Sequence, residues 1–239
     1  MNSIAILGAG TWGMALAKML KNTNKNVTVW SALPDEIEEL SKTSRHPKLP
    51  NVLIPKGIEY TTDIKLAVEN KDIIMFAVPS VFVRQTARKC KDYIKDNQII
   101  VDVAKGLERE TGLRLSEVVK SELPNNEYVT LSGPSHAEEV SKFMPTTLVA
   151  ASPNLEIAEI VQDAFMSPVL RVYTNPDIIG VELGGALKNI IAFGAGMCDG
   201  LGYGDNAKAA LMTRGLYEIS KLGTRLGADP KTFSGLSGI

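Results

Sequence analysis

The chain opens on four consecutive apolar positions, Ile4-Ala5-Ile6-Leu7, and the period of the pattern changes directly afterwards. An unbroken apolar run of this length reads as a strand buried on both faces. Beyond Gly13, apolar side chains recur at Met14, Leu16, Ala17, Met19 and Leu20, the spacing of a helix with one buried face. The same exchange of periods continues down the chain. Strands are predicted at Asn26–Trp30, 72–78, 98–103, 128–131, Thr146–Ala151 and 169–173. Helices are predicted at 34–42, 63–70, 80–90, 111–121 and 154–164, the first of them opened by Pro34. Residues 45–56 carry three prolines and read as a loop. Past Tyr173 no strand pattern remains, and 177–196 and 205–226 read as two long helices.

Between the first strand and the first helix stands Gly8-Ala9-Gly10-Thr11-Trp12-Gly13. In a Gly-x-Gly-x-x-Gly turn the first glycine permits a tight reversal. The second lets a pyrophosphate approach the backbone, and the third lets helix and strand pack closely. The free N–H groups and positive dipole end of the following helix favour phosphate. Strand, glycine turn and helix in this order form a dinucleotide-binding fingerprint. The alternation of strands and helices then implies an α/β fold, a Rossmann-type doubly wound and mostly parallel sheet, followed by an all-helical C-terminal domain. The boundary is placed near Asn175. Residues 1–175 form the dinucleotide-binding domain and 176–239 the start of a helical substrate and catalytic domain. Ligands in such folds lie beyond the carboxyl ends of the strands. Residues 8–13, 78–80, 104–106 and 132–135 all fall at such ends and are expected to line one crevice.

Composition narrows the function. With 22% charged and 44% hydrophobic residues, the 239-residue chain has ordinary globular balance. A net charge of −1 supplies no basic footprint, so neither nucleic acid nor an anionic membrane is expected as partner. The longest apolar run, 73–78, is far too short to span a bilayer. Cys90 and Cys198 are far apart and in no Cys-x-x-Cys pair, which fits a reducing compartment. His46 and His136 are the only histidines; no metal site is expected, and both read as polar surface or loop residues. The first strand begins so near Met1 that a signal peptide has no room, so a cytoplasmic location is expected.

Candidate chemistry collects at few places. Acids that bind ribose hydroxyls in NAD-selective folds stand about 20 residues past the glycines. Here Ser31-Ala32-Leu33 follows the second strand, and Asp35 and Glu36 read as the start of the next helix, so NAD and NADP both remain open. Lys105 follows a buried strand and can reach a phosphate or a substrate oxygen, or stand in a solvated loop. Ser132-Gly133-Pro134-Ser135 has the form of a backbone anion cradle, or of a plain turn with a serine cap. Glu182-Leu183-Gly184-Gly185-Ala186-Leu187-Lys188-Asn189 places two glycines inside a helix, at a cost of roughly 1 kcal/mol each. Such a cost is expected where something approaches the helix closely. Gly185, Lys188 and Asn189 share a face, where a partly buried lysine could shuttle a proton. The bland alternative is a surface lysine beside glycines used for packing.

The motifs GAGTWG, FAVPS, AKGLE, SGPSHAEE and GVELGGALKNIIAFGAGMCDGLGYGDNAKAALMTRG resemble the soluble bacterial-type NAD(P)-dependent glycerol-3-phosphate dehydrogenases over essentially the whole chain. The resemblance implies hydride exchange between NAD(P)H and dihydroxyacetone phosphate, a small phosphorylated three-carbon substrate. The product would be sn-glycerol 3-phosphate for phospholipid synthesis. By motif match it implies Lys188 as catalytic acid/base, Lys105 touching cofactor and substrate, and Gly133 and Ser135 at the substrate; Asn189, on the helix face of Lys188, is expected there as well. It assigns Gly8, Gly10, Thr11, Trp12, Gly13 and Ala137 to the cofactor, and leaves room for a homodimer. The basic residues usual after the second strand are replaced here by Ser31-Ala32-Leu33. In the family the stretch at Gly238-Ile239 continues into a Gly-Asp motif and an Arg-Asn pair that clamps the substrate phosphate, so the chain is expected to be a truncated form. A related β-hydroxyacid-type dehydrogenase and a non-catalytic NAD(P)-binding module are the alternative readings.

Overall fold

The computed structural model describes residues 1–236. Eight strands form one sheet in the order β3-β2-β1-β4-β5-β6-β7-β8. They are β1 (Ser3–Leu7), β2 (Asn26–Trp30), β3 (Glu59–Thr61), β4 (Ile73–Phe76), β5 (Ile99–Asp102), β6 (Tyr128–Ser132), β7 (Thr146–Ala151) and β8 (Leu170–Asn175). Every neighbouring pair is parallel except β6 and β7. The first six strands follow the 3-2-1-4-5-6 order of a doubly wound dinucleotide fold, with the switch point between β1 and β4. The parallel core strands are apolar throughout because helices cover both faces; Ile4, Ile6, Ile73 and Val101 face one core, Ala5, Leu7, Ile74 and Ile100 the other.

The helices that matter for the site are α1 (Thr11–Asn22), α2 (Pro34–Thr43), α5 (Leu115–Glu122), α6 (Ala137–Val140), α8 (Ile178–Gly200) and α9 (Gly204–Arg225). Between them lie α3 (Ile64–Val68), α4 (Val83–Cys90) and α7 (Leu155–Phe165). The structure departs from the pattern-based expectation in several places: the helix predicted at 111–121 begins only at Leu115, and the 3-10 turn Pro230–Ser234 follows the last predicted helix. Strand β3 falls between the 45–56 loop and the 63–70 helix, where no element was predicted, and the 80–90 helix begins as a 3-10 turn, Ser80–Phe82. β3 has three residues with none fully buried, so its own pattern is too short to show. It is held by its register with β2, Thr28 to Glu59 and Trp30 to Thr61.

Helices α8 and α9 pack against each other after the last strand. The approach is close: a Cβ on Gly215 would overlap the Ile191 side chain. Asp177 caps α8, accepting from Gly180 N at 2.9 Å. The same carboxylate accepts from Asp229 N at 2.9 Å and Thr232 Oγ1 at 2.6 Å, tying the start of α8 to the 3-10 turn Pro230–Ser234. Among the described residues α8 is the one helix long and apolar enough to cross a membrane. Its first turns are instead buried between β6, β7 and the Pro230–Ser234 turn, and it carries Glu182 and Lys188.

Candidate active site

At the carboxyl end of β1 the chain turns through Gly8 at φ +127°, and a Cβ there would lie 2.6 Å from the Ala77 carbonyl oxygen. No L side chain fits that conformation or that space. Gly13 faces Gly8, and a Cβ would collide with the Gly8 oxygen, so helix and turn touch backbone to backbone. Gly10 differs from both: a Cβ would meet nothing within 4 Å, leaving open space beside the backbone. Gly10 caps α1 without a side-chain hydrogen bond, and no acid stands in the first turn. The N–H groups of Thr11, Trp12 and Gly13 have no intrahelical partner at such an end. Cradle, open face and uncancelled dipole fit the pyrophosphate of a dinucleotide.

The next strand ends meet close by. A Cβ on Gly106, φ +139°, would press on Ser80 Oγ at 2.9 Å, which joins the loop after β5 to that after β4. Gly133, φ +151°, lies against Thr147 O. Lys105 Nζ donates to the Gly133 carbonyl at 3.1 Å, and Ser135 Oγ donates to the same oxygen at 3.2 Å. Above them is a cavity of about 460 Å³, lined by Lys105, Gly133, Ser135, His136, Lys188 and Asn189, and closed by α8 and α9 residues such as Ala192 and Leu216. Burial lowers the Lys105 ammonium to about 8, helped by the neighbouring charge of Lys188. Burial also lowers Lys188 from its ordinary value. Two partly desolvated ammonium groups on one cavity can hold an anion and release a proton.

Five residues singled out in the sequence, Lys105, Gly133, Ser135, Lys188 and Asn189, are thus brought to one cavity. The glycine turn stands apart from its lining, beyond the end of β1. Ala137 also lies outside the lining, buried at the start of α6, which packs on α1.

Comparison with known proteins places this geometry. The profile for the NAD-dependent glycerol-3-phosphate dehydrogenase N-terminus matches residues 3–158, and that for the C-terminus matches 177–239. The chain belongs to this dehydrogenase family. It is 55% identical to a glycerol-3-phosphate dehydrogenase (NAD(P)+) of Lactobacillus delbrueckii subsp. bulgaricus, over 100% of the chain and 73% of the relative. It is 50% identical to that of Bacillus subtilis, over 100% of the chain and 70% of the relative. The crystal structure of glycerol-3-phosphate dehydrogenase from Coxiella burnetii superposes with a TM-score of 0.94 at 37% identity, covering 99% of this chain and 73% of that one. The chain is accordingly an NAD(P)-dependent oxidoreductase. Its terminal Gly238-Ile239 lies outside the described residues.

Within the family frame, several residues take places that the sequence reading did not assign. Gly185 is the first. Its missing Cβ makes room for Ser132 Oγ, which would lie at 2.8 Å, and for the stem of Lys105 at 3.9 Å. The close approach that the paired glycines predicted is therefore of α8 to β6, and Gly185 is not part of the cavity wall. His46 is the second: it stands in a loop as expected but is only 7% exposed. Its Nδ1 accepts from Lys48 N at 3.1 Å, and the ring faces the Ala9 backbone of the glycine turn. His136, expected as an ordinary loop residue, is exposed but lines the cavity.

Three residues before Lys105, at the end of β5, is a buried acid. Asp102 Oδ1 accepts from Ala104 N at 2.8 Å and Oδ2 from the Tyr128 hydroxyl at 3.0 Å. Burial nevertheless pushes its carboxyl up to about 7. Thr130 Oγ1 and Ser132 Oγ, on the same strand face as Tyr128, are buried and find no hydrogen-bond partner among the described residues. Glu182 reaches from α8 to α5, accepting from Ser116 N at 2.7 Å, Ser116 Oγ at 2.6 Å and Arg114 Nη1 at 2.8 Å. Single acids inside apolar strands give little sequence signal, because only pairing across strands reveals their partners.

Proposed function

We propose that the cavity binds a small phosphorylated three-carbon substrate, and that the chain's residues interconvert dihydroxyacetone phosphate and sn-glycerol 3-phosphate. The observation that carries the reading is the convergence of Lys105 and Lys188 on one half-buried cavity at the strand ends. Gly8, Gly10, Thr11, Trp12, Gly13 and Ala137 hold NAD or NADP in this reading. When bound, the nicotinamide supplies or accepts the hydride. Lys188 Nζ gives its proton to the carbonyl oxygen during reduction and takes it back during oxidation. Burial loosens its hold on that proton, which eases the exchange. Lys105, anchored on the Gly133 carbonyl, offers its ammonium to substrate oxygens and to the cofactor's edge. Gly133, Ser135 and Asn189 orient the substrate.

In the same reading, residues 1–175 are the cofactor domain, ending with β8, and 176–239 begin the catalytic domain with α8. A cytoplasmic role in supplying glycerol phosphate for phospholipid synthesis belongs to it. So does a homodimer: Ile190 and Phe193 on α8 are 66% and 72% exposed, the kind of apolar surface that marks contact sites.

The test is Lys188→Ala in the native gene product. The maximal rate of dihydroxyacetone phosphate-dependent cofactor oxidation should fall by a factor on the order of 10²–10⁴, the usual worth of a general acid. The dissociation constant for reduced cofactor should hold. Near-normal turnover would remove Lys188 from the role. Activity on 3-hydroxyacids instead of the phosphate would point to the related dehydrogenase class, and binding without turnover to a cofactor-binding module.

A further inference from the structure

The end of β2 holds an arrangement that the local sequence conceals. The chain bends through Ser31-Ala32-Leu33 and enters α2, whose first turn then folds back onto the bend. Ser31 is buried, and its hydroxyl donates to Glu36 Oε2 at 2.7 Å while accepting from Leu33 N at 3.1 Å. Glu36 therefore does two things: it begins α2, as its position predicts, and it returns its carboxylate to the tip of β2. Among the described residues Glu36 Oε1 carries no hydrogen bond. His46 feels the charge of this carboxylate and turns its ring to the Ala9 backbone. With Nδ1 accepting from Lys48 N, the neutral ring carries its proton on Nε2.

In a doubly wound fold this tip lies where the ribose of the adenosine half rests, and an acid there accepts from the ribose hydroxyls. We propose that the Ser31–Glu36 pair recognises the free 2′-hydroxyl of that ribose and makes the chain select NAD(H) over NADP(H). The proposal rests on the reading that the glycine turn holds a dinucleotide. Glu36 keeps one oxygen for the diol, and Ser31 fixes the carboxylate's orientation. A 2′-phosphate would instead place a second strong anion against it. Nothing on the bend offsets that repulsion, since Ala32 and Leu33 are uncharged and exposed. The charged groups that act most on His46 are Glu36, Glu39 and Lys48. Lys48 is the one cation among them, on an exposed and flexible stem. It lacks the planar fork by which arginine grips a phosphate.

The test measures dissociation constants for NADH and NADPH by fluorescence titration on wild type, Glu36→Gln, Leu33→Arg and Lys48→Met. Wild type should bind NADH about tenfold or more tighter than NADPH, the scale of one close like-charge contact at an exposed site. Glu36→Gln should weaken NADH, strengthen NADPH and bring the two within about threefold of each other. Leu33→Arg should strengthen NADPH alone. Equal binding by wild type, or a preference for NADPH that Lys48→Met abolishes, would overturn the proposal. So would a Glu36→Gln variant that weakens both cofactors by the same factor, because that marks a merely structural acid. If wild type binds neither dinucleotide, the reading of the glycine turn fails and the proposal falls with it.

Discussion

Asp102→Asn should make the protein's stability less dependent on pH. Asp102 is fully buried on β5, with Tyr128 of β6 and Ala104 N as donors, Thr130 of β6 as its register neighbour and Glu182 of α8 as a nearby acid. Both donors favour the carboxylate, yet desolvation outweighs them and raises the carboxyl from 3.8 to about 7. The sign follows from linkage. Between those values the folded chain holds a proton that the unfolded chain has released, so stability falls as pH rises. The contribution is complete below about 4 and gone above about 7. At about 1.4 kcal/mol per pH unit the loss across that window is roughly 4 kcal/mol, and between pH 5 and pH 8 roughly 3 kcal/mol. Asparagine keeps an acceptor for Ala104 N and has no proton to lose. Wild type and variant should therefore be of similar stability at pH 5, with the variant pulling ahead by roughly 3 kcal/mol at pH 8. Glu182, also raised by burial, titrates in both proteins, and its repulsion of the Asp102 charge is part of what the substitution removes. Urea unfolding followed by fluorescence of the buried Trp30, at pH 5, 6, 7 and 8, gives the two profiles. Parallel profiles would refute the reasoning, and a wild type that gains stability over this range relative to the variant would reverse its sign.

Gly8→Ala should abolish cofactor binding and cost on the order of 1–3 kcal/mol of stability, since φ is +127° and Ala77 O occupies the space; titration with NADH and urea unfolding check both. Affinity for a phosphate-bearing substrate should decline as pH rises through about 8, where Lys105 loses its charge. Lys105→Met should bind weakly at every pH, and a retained pH step in that variant would place the titration elsewhere. Gly185→Ala pushes α8 away from Ser132 Oγ, which a Cβ would approach to 2.8 Å. It should lower kcat by roughly tenfold or more, the scale of a sub-ångström misplacement of Lys188, while leaving the NADH dissociation constant unchanged.

Much of this molecule was legible locally. The apolar runs at 73–78 and 98–103 and the 3.6-residue spacing after Gly13 are properties of neighbouring residues, so they forecast β4, β5 and α1 without any knowledge of pairing. The glycine turn was legible for the same reason: φ at Gly8 and the contact of Gly13 with Gly8 are set within six residues. Long, dense motifs around Lys105, Ser132-Gly133-Pro134-Ser135 and Lys188 pointed to the family, which the comparisons share.

What depended on distant residues could be read only from the tertiary structure. The antiparallel β7 and the edge strand β3 are defined by pairing partners, and strand period is the same in either direction. Gly185 looked like a ligand contact because its cost is visible in sequence, whereas its neighbour Ser132 lies more than fifty positions away. Asp102 reads as an ordinary polar residue at the end of a strand until Tyr128 and complete burial are seen together. His46 appeared as a loop residue because burial of a loop depends on what covers it. Ser31 and Glu36 are only five positions apart, and still the local pattern assigned the acid to α2 alone. The angle at which α2 leaves the sheet brings that carboxylate back to β2, and helix orientation is set by packing across the whole domain rather than by the residues of the turn.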